Sequence, residues 1–157
     1  MTIEKILFVC YGNTARSPVA EYLARQYAEI NELDLEFESA GFINAFSYIQ
    51  PESREYLDSK DIDYYNFHPQ LITSRLIESH DLILTMENSH KIEILRKYPT
   101  IPNIKNKVFT LREFNGETVD LDIIDPYYGS YKTYQKVLKI IDENISKALK
   151  KIQNMNE

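Results

Sequence analysis

Apolar residues follow two spacings along the chain, and each spacing predicts a different element. Short apolar or alternating runs, bounded by polar and turn-forming residues, predict strands. Longer segments with an apolar residue at every third or fourth position predict helices that bury one face. The strands are predicted at residues 6–10, 35–41, 81–86 and 107–111, and the helices at residues 17–31, from Pro51, after Thr73 or Ser74, at residues 89–98, and from Ser130.

The last of these helices has the clearest pattern. Its apolar face is predicted to consist of Tyr134, Val137, Leu138, Ile141, Ile145, Ala148, Leu149 and Ile152. The polar side of the first helix, with Glu21, Arg25 and Glu29, is expected to face solvent. Because strands and helices alternate, consecutive strands should be parallel, with helices on both faces of the sheet. The predicted fold is therefore α/β, a three-layer α/β/α arrangement around a four-stranded parallel sheet.

Composition is compatible with one domain over residues 1–157. The chain has 157 residues, of which 43% are hydrophobic, and it shows no repeat or low-complexity segment. Its apolar runs are too short to span a bilayer, and residues 1–5 lead directly into the first strand. A single cysteine excludes an internal disulfide framework and suits a reducing compartment. We expect a cytoplasmic protein without membrane contact.

Charge and histidine spacing narrow the classes of partner. The net charge of −6 disfavours non-specific binding to nucleic acid, because the phosphate backbone would be repelled. The three histidines, His68, His80 and His90, do not have the spacing of metal ligands. We therefore expect no nucleic-acid partner, no metal and no other cofactor.

The densest group of reactive residues lies between the first strand and the first helix. Cys10 ends the strand, residues 11–15 form a tight loop, and the helix begins directly afterwards. The backbone N–H groups of such a loop and the N-terminus of the helix converge on one point, where they favour an anion. The same dipoles stabilise a thiolate, which is the nucleophilic form of cysteine.

Neighbouring residues suit the same chemistry. Arg16 offers a planar fork of donors that matches two oxygens of a tetrahedral oxyanion. Gly12 is predicted to adopt a positive φ that turns N–H groups inward, and Asn13 to adopt a left-handed conformation and brace the loop with its side chain. Ser17 is expected either to cap the helix or to donate its hydroxyl to the sulfur, and Pro18 fits the first helical turn. An isolated cysteine at a strand end is usually a small buried apolar residue, but this spacing favours catalysis.

With these residues the sequence resembles the low-molecular-weight protein tyrosine phosphatase family, whose signature is Cys-x-Gly-Asn-x-x-Arg-Ser-Pro near the N-terminus. Residues 39–41, 81–86 and 125–128 are also similar to segments of the family. The resemblance covers nearly the whole chain and implies the phosphotyrosine protein phosphatase I-like fold. Many members have a second cysteine directly before the arginine, where this chain has Ala15.

The resemblance also implies which residues contact the substrate. Phe42 or Phe46 is a candidate aromatic wall, with packing in the core as the alternative. Tyr127 and Tyr128 are expected to flank the cleft and pack on the substrate ring. The residues expected to surround the phosphate group are Tyr11, Gly12, Asn13, Thr14, Ala15 and Ser17.

A leaving phenolate or amine needs a proton, which a carboxylic acid at the mouth of the site can supply. Asp125 is the candidate because it precedes Pro126, which stiffens the turn, and because Asp-Pro-Tyr-Tyr resembles the family motif. Asp120 and Asp122 lie close by in sequence and are the weaker candidates.

The predicted reaction has two steps and uses no metal. The Cys10 thiolate attacks phosphorus while Arg16 and the loop N–H groups hold the oxygens, and Asp125 protonates the leaving atom. Water activated by Asp125 then hydrolyses the phosphocysteine. The expected partners are phosphorylated proteins or peptides, together with inorganic phosphate or similar oxyanions.

The sequence leaves two substrate classes open. Tyr127 and Tyr128 resemble tyrosine-specific members, and phosphotyrosine is the favoured substrate. Thr14 and residues 107–111 resemble the branch that removes phosphate from arginine, so phosphoarginine is the alternative. Two further readings are disfavoured: an arsenate reductase that passes electrons through its own thiols would need additional cysteines, and a module that only binds phosphate would not need Asp125.

Overall fold

Four parallel strands form the centre of the computed structural model, which describes residues 2–157. The strands are β1 (Lys5–Val9), β2 (Glu36–Ala40), β3 (Leu82–Thr85) and β4 (Val108–Thr110), in the spatial order β2-β1-β3-β4. In the register of the sheet, Ile6 lies opposite Phe37 on one side and Leu82 on the other. The β1 side chains from Ile6 to Val9 are completely buried, as expected for a central strand that is covered on both faces.

The helices of the described chain begin and end close to the predicted positions. Each predicted strand and helix is present, and two short elements are additional: a 3-10 turn at Ile104–Asn106 and a helix at Leu111–Phe114. The helices are α1 (Arg16–Ile30), α2 (Pro51–Ser59), α3 (Ser74–Ser79), α4 (Asn88–Lys97), α5 (Leu111–Phe114) and α6 (Tyr131–Met155).

Alternate residues of β1 contribute to different cores. Ile6 and Phe8 pack in a large cluster with apolar residues of α1 and α6. Leu7 and Val9 pack in a second cluster, with Ile77 of α3 and others from α4. Because successive side chains of a strand point to opposite faces, these clusters lie on the two sides of the sheet. The predicted α/β fold with helices on both faces is confirmed.

The long C-terminal helix α6 agrees with its predicted pattern. All eight residues predicted for its apolar face are buried. Ser130 is its N-cap, and the Ser130 hydroxyl accepts a hydrogen bond from the backbone N–H of Thr133. Within residues 2–157, none of the helices combines the length and the apolar character that a membrane span requires.

The fourth strand ends earlier than predicted because a helix begins at Leu111. The Thr110 hydroxyl accepts a hydrogen bond from the Glu113 N–H (2.9 Å), and the Glu113 carboxylate accepts one from the Thr110 N–H (3.2 Å). This reciprocal pair is a capping box, which satisfies backbone donors at the start of α5. The Thr-x-x-Glu spacing was present in the sequence as its signal.

Candidate active site

A cavity of about 250 Å³ opens beyond the carboxyl end of β1. Cys10, Arg16 and Asp125 all border it, although Asp125 is more than 100 positions away in the sequence. A larger cavity of about 690 Å³ lies beside Glu21, but none of the three predicted catalytic residues borders it. The other residues that line the smaller cavity are Tyr11, Gly12, Thr14, Ala15, Ile43, Ala45, Phe46, Gln50, Tyr127 and Tyr128.

The Cys10 sulfur lies at the base of the loop and receives two polar contacts. The Ser17 Oγ is 2.9 Å from it, and the Asn13 backbone N–H donates to it at 3.3 Å. In the described part of the chain, the backbone N–H groups of Gly12, Thr14 and Ala15 have no protein acceptor. The loop therefore combines a nucleophilic atom with free donors, which suits an oxyanion bound next to the sulfur.

The hydrogen bonds of Asn13 determine the direction of the Ser17 hydroxyl hydrogen. The Gln70 N–H donates to the Asn13 side-chain oxygen (2.9 Å), so the Asn13 amide nitrogen must face the other way. That nitrogen donates to the hydroxyls of Ser17 and Ser39, at 2.9 Å each. Since the Ser17 oxygen already accepts a hydrogen bond, its own hydrogen is available to Cys10. Ser17 can therefore stabilise negative charge on the sulfur.

The hydrogen bonds of Asn13 and Ser39 extend from the loop to the buried carboxylate of Glu21. The Ser39 hydroxyl donates to the Glu21 carboxylate (2.6 Å), which also pairs with Arg25 (2.8 Å). Burial raises the pKa of Glu21, and the hydrogen bond from Ser39 acts in the opposite direction. The expectation that Glu21 faces solvent was wrong. Glu21 lies four positions after Ser17 on the same face of α1, which was the available signal.

Backbone conformation assigns the left-handed position in the loop to Asn13. Asn13 has φ of 55°, as predicted, but the positive φ expected for Gly12 is wrong. Gly12 is instead required by space, because an added Cβ would lie 2.8 Å from the Ala45 Cβ. Gly41 is required similarly, because its added Cβ would lie 2.8 Å from the Asn13 nitrogen.

The start of α1 does not use a side-chain cap. Its N-cap is Ala15, and no side-chain hydrogen bond caps the helix. Of the two roles expected for Ser17, capping is therefore wrong, and contact with the sulfur is the one observed. Pro18 lies in the first helical turn, where a missing N–H costs nothing.

The guanidinium of Arg16 is held on one side and free on the other. Arg16 is only 1% exposed, and its Nη1 donates to the Glu87 carboxylate (2.5 Å) and to the Ile123 carbonyl (2.6 Å). Its Nη2 lies 3.9 Å from an Asp125 carboxylate oxygen. Its buried Nε has no hydrogen-bond partner among residues 2–157. The unpartnered donor suits the planar, two-point binding of a phosphate group.

Glu87 was not among the residues predicted for the site, although it directly follows the third strand. It is the N-cap of α4, and its backbone N–H donates to His90 Nδ1 (3.2 Å). Since that nitrogen accepts, the His90 proton is on Nε2, which lies 3.5 Å from the Glu87 carboxylate. Burial, with a further contribution from Arg16, lowers the pKa of His90 to about 4. His90 is therefore neutral at physiological pH and holds Glu87 beside Arg16.

Local contacts distinguish Asp125 from the neighbouring acids. The Asp122 carboxylate accepts a hydrogen bond from the Asn88 N–H (2.7 Å), which closes the N-terminus of α4. Asp120 does not border the Cys10 cavity. Asp125 uses one oxygen to accept the Tyr127 N–H (3.0 Å), and its side chain is 43% exposed. Its other oxygen is the one near Arg16, so this acid is placed to exchange protons in the cavity.

Aromatic residues form the outer wall of the cavity. The Phe46 and Tyr127 ring centres are 5.6 Å apart, and the Tyr127 and Tyr128 centres are 4.8 Å apart. Phe42, which was expected to contact the substrate, lies outside this cavity and packs against His90 instead. Of the two phenylalanines that the sequence offered, Phe46 is the one in the wall. Within residues 2–157, no three His, Cys, Asp or Glu side chains are grouped as metal ligands would be.

Comparison with known proteins gives one consistent family. Residues 5–157 match the family described as low molecular weight phosphotyrosine protein phosphatase. The protein-arginine-phosphatase of Bacillus subtilis is 36% identical over 150 residues, which cover 93% of this chain and 97% of that protein. The low molecular weight protein-tyrosine-phosphatase PtpB of Staphylococcus epidermidis is 30% identical over 154 residues, covering 88% of this chain and 95% of the relative. The crystal structure of a YwlE mutant from Bacillus subtilis has a TM-score of 0.86 and 33% identity, over 96% of this chain and 99% of that one.

Proposed function

Because the chain belongs to the low molecular weight phosphotyrosine protein phosphatase family, we propose that it hydrolyses phosphotyrosine in proteins through a phosphocysteine intermediate. One observation carries the proposal: the Cys10 sulfur, the free edge of Arg16 and the Asp125 carboxyl meet in one cavity. A nucleophile, an oxyanion clamp and a proton donor are the three parts that this reaction needs.

In the first step, the Cys10 thiolate attacks phosphorus in line with the leaving oxygen. The Arg16 Nε and the free loop N–H groups hold the equatorial oxygens, where negative charge is greatest. Asp125 gives its proton to the leaving phenolate oxygen, so the product departs as a neutral phenol.

In the second step, the ionised Asp125 takes a proton from water as the water oxygen attacks the phosphorus of phosphocysteine. The phosphorus–sulfur bond breaks, and the electron pair returns to Cys10 as thiolate. The Ser17 hydroxyl, 2.9 Å from the sulfur, stabilises that thiolate as it leaves. Inorganic phosphate is released, and the enzyme returns to its starting state.

The shape of the cavity supports phosphotyrosine as substrate. The rings of Phe46, Tyr127 and Tyr128 surround its mouth, and flat apolar walls suit an aromatic ring. A substrate ring that packs against these side chains would direct its phosphate toward the sulfur at the base.

Thr14 supports phosphoarginine as the second candidate. Its side chain is buried and borders the cavity, where a hydroxyl oxygen can accept a hydrogen bond from a guanidinium N–H. A phenol ring offers no such donor. The relative from Bacillus subtilis named a protein-arginine-phosphatase supports the same alternative.

Hydrolysis of p-nitrophenyl phosphate by the wild type and by Cys10→Ser tests the chemistry. We expect turnover by the wild type and none by the variant, with phosphate binding retained in both. Binding of phosphate without any wild-type turnover would instead support the non-catalytic module.

Comparing kcat/KM for matched phosphotyrosine and phosphoarginine peptides tests the substrate class. Thr14→Ile should lower the value for phosphoarginine peptides more than the value for phosphotyrosine peptides. Equal losses would show that Thr14 does not distinguish the two substrate classes. The cytoplasmic location and the single-domain organisation stay predictions from the sequence.

A further inference from the structure

A second cavity, which we call the side cavity, adjoins the Cys10 cavity. It has a volume of about 500 Å³. Tyr11, Arg16, Ile43 and Asp125 border both cavities, so the two form one divided cleft. A peptide with its phosphorylated side chain over Cys10 can therefore place a neighbouring side chain in the side cavity. We infer that the side cavity binds a basic side chain, lysine or arginine, adjacent to the phosphorylated residue of a protein substrate; the inference rests on the proposed function.

The walls of the side cavity fit the long apolar stem of such a side chain. Tyr11 and Ile43 expose apolar surface at the boundary with the Cys10 cavity. Phe42 and the neutral ring of His90 lie side by side, with ring centres 5.6 Å apart. Methylene groups pack against surfaces of this kind, and aromatic faces also attract a cation.

The charges around the side cavity favour a positively charged group at the end of the bound side chain. Three acidic residues border it, Glu87, Glu93 and Asp125; Asp125 is protonated when the substrate binds, so Glu87 and Glu93 supply the negative charge. The cation at its border, Arg16, is buried and is already paired through Nη1 with Glu87. The free Nε of Arg16 serves the phosphate in the neighbouring cavity. The surface that remains for a neighbouring side chain is therefore negative, and it would repel an acidic residue.

Glu93 is the carboxylate that is free to change partners. It pairs with Arg96 at 2.5 Å, but the two side chains are 39% and 70% exposed. Exposed pairs of this kind contribute little, because water and salt compete for both charges. A substrate ammonium or guanidinium can replace Arg96 at modest cost. Glu87 and Asp125, in contrast, are engaged with Arg16 and with the reaction.

The test uses pairs of phosphotyrosine peptides that differ only in having lysine or glutamate on both sides of the phosphotyrosine. Their affinities are measured by titration calorimetry with Cys10→Ser, so that binding is recorded without turnover. The lysine peptide should bind at least about five-fold more tightly than the glutamate peptide. This ratio is expected when one favourable ion pair is replaced by one repulsive pair. Adding Glu93→Gln should remove most of this preference, and adding Glu93→Lys should reverse it.

Two controls separate the inference from the proposed function. Glu143→Gln removes one charge from an exposed position of α6 and should leave the peptide preference intact. The Glu93 variants with Cys10 present should hydrolyse p-nitrophenyl phosphate at the wild-type rate, since this small substrate does not reach the side cavity. Equal affinity for the two peptides, a preference that survives both Glu93 substitutions, or an equal loss in Glu143→Gln would overturn the side-cavity assignment. Absence of p-nitrophenyl phosphate hydrolysis by the wild type would overturn the proposed function instead.

Discussion

Protonation of His90 should make stability depend strongly on pH. His90 is buried, and the charges of Arg16, Glu87, Asp122 and Asp125 act on its ring. Burial and the Arg16 charge outweigh these carboxylates and lower the pKa of His90 from 6.5 to about 4. Between these two values the unfolded chain binds a proton at His90 and the folded chain does not. Stability should therefore be lost as the pH falls from 6.5 toward 4.

The size of the loss follows from the difference in proton binding. Within this window, each unit by which the pH falls lowers the free energy of unfolding by about 1.4 kcal/mol. Because the window begins at pH 6.5, moving from pH 7 to pH 5 should remove roughly 2 kcal/mol. Other groups titrate over the same range, but they do so equally in a variant that lacks only this imidazole. His90→Gln is the suitable variant, because its amide oxygen can accept the Glu87 N–H that Nδ1 accepts now.

Urea unfolding of the wild type and His90→Gln at pH 7, 6 and 5 provides the measurement. We expect the stability difference, wild type minus variant, to fall by about 2 kcal/mol between pH 7 and pH 5. A difference that stays constant, or that shifts in favour of the wild type at pH 5, would refute the neutral His90 and the positioning of Glu87 that depends on it.

Three further substitutions test other parts of the site. Asp125→Asn should lower kcat/KM for phenyl phosphate by about 100-fold or more, and less for p-nitrophenyl phosphate, whose leaving group needs no proton; equal losses on both esters would argue against a general acid. Glu87→Gln should lower the free energy of unfolding by about 2–4 kcal/mol, because buried Arg16 loses its counter-ion. Bound phosphate should then raise the Tm of the variant more than that of the wild type, and an equal rise in both proteins would contradict this. Burial raises the pKa of Glu21, so the contribution of Glu21 to stability should decline as the pH rises above 4.5, in the opposite direction to the contribution of His90. In unfolding curves, Glu21→Gln should gain stability relative to the wild type between pH 4.5 and 7, and a relative loss would contradict this.

The order of elements was predictable from local patterns. The apolar face of α6 and the alternation of strands with helices are properties of neighbouring residues, and they specify the layers of the fold. The Cys10 loop was also recognisable, because its residues are close in sequence. The Asp125 position could be proposed only from its resemblance to a motif.

The sequence could not show which distant residues would meet. Arg16 pairs with Glu87, 71 positions away, and with the Ile123 carbonyl, 107 positions away. No periodicity reports such contacts, so Glu87 was missed. The burial of Glu21, in contrast, had a local signal in its helical spacing from Ser17. The same limit explains why the sequence left both Phe42 and Phe46 as candidates, since only the path of the loop after β2 decides which ring lines the Cys10 cavity.

The central claim is that Cys10 carries the phosphoryl group during turnover. Acid quenching of the wild type in the presence of p-nitrophenyl phosphate, followed by mass spectrometry of its peptides, tests this directly. We predict one phosphoryl group on the peptide that contains Cys10, and none on the same peptide of Cys10→Ala. Continued turnover by Cys10→Ala, or a phosphoryl group found on another residue and not on Cys10, would contradict it.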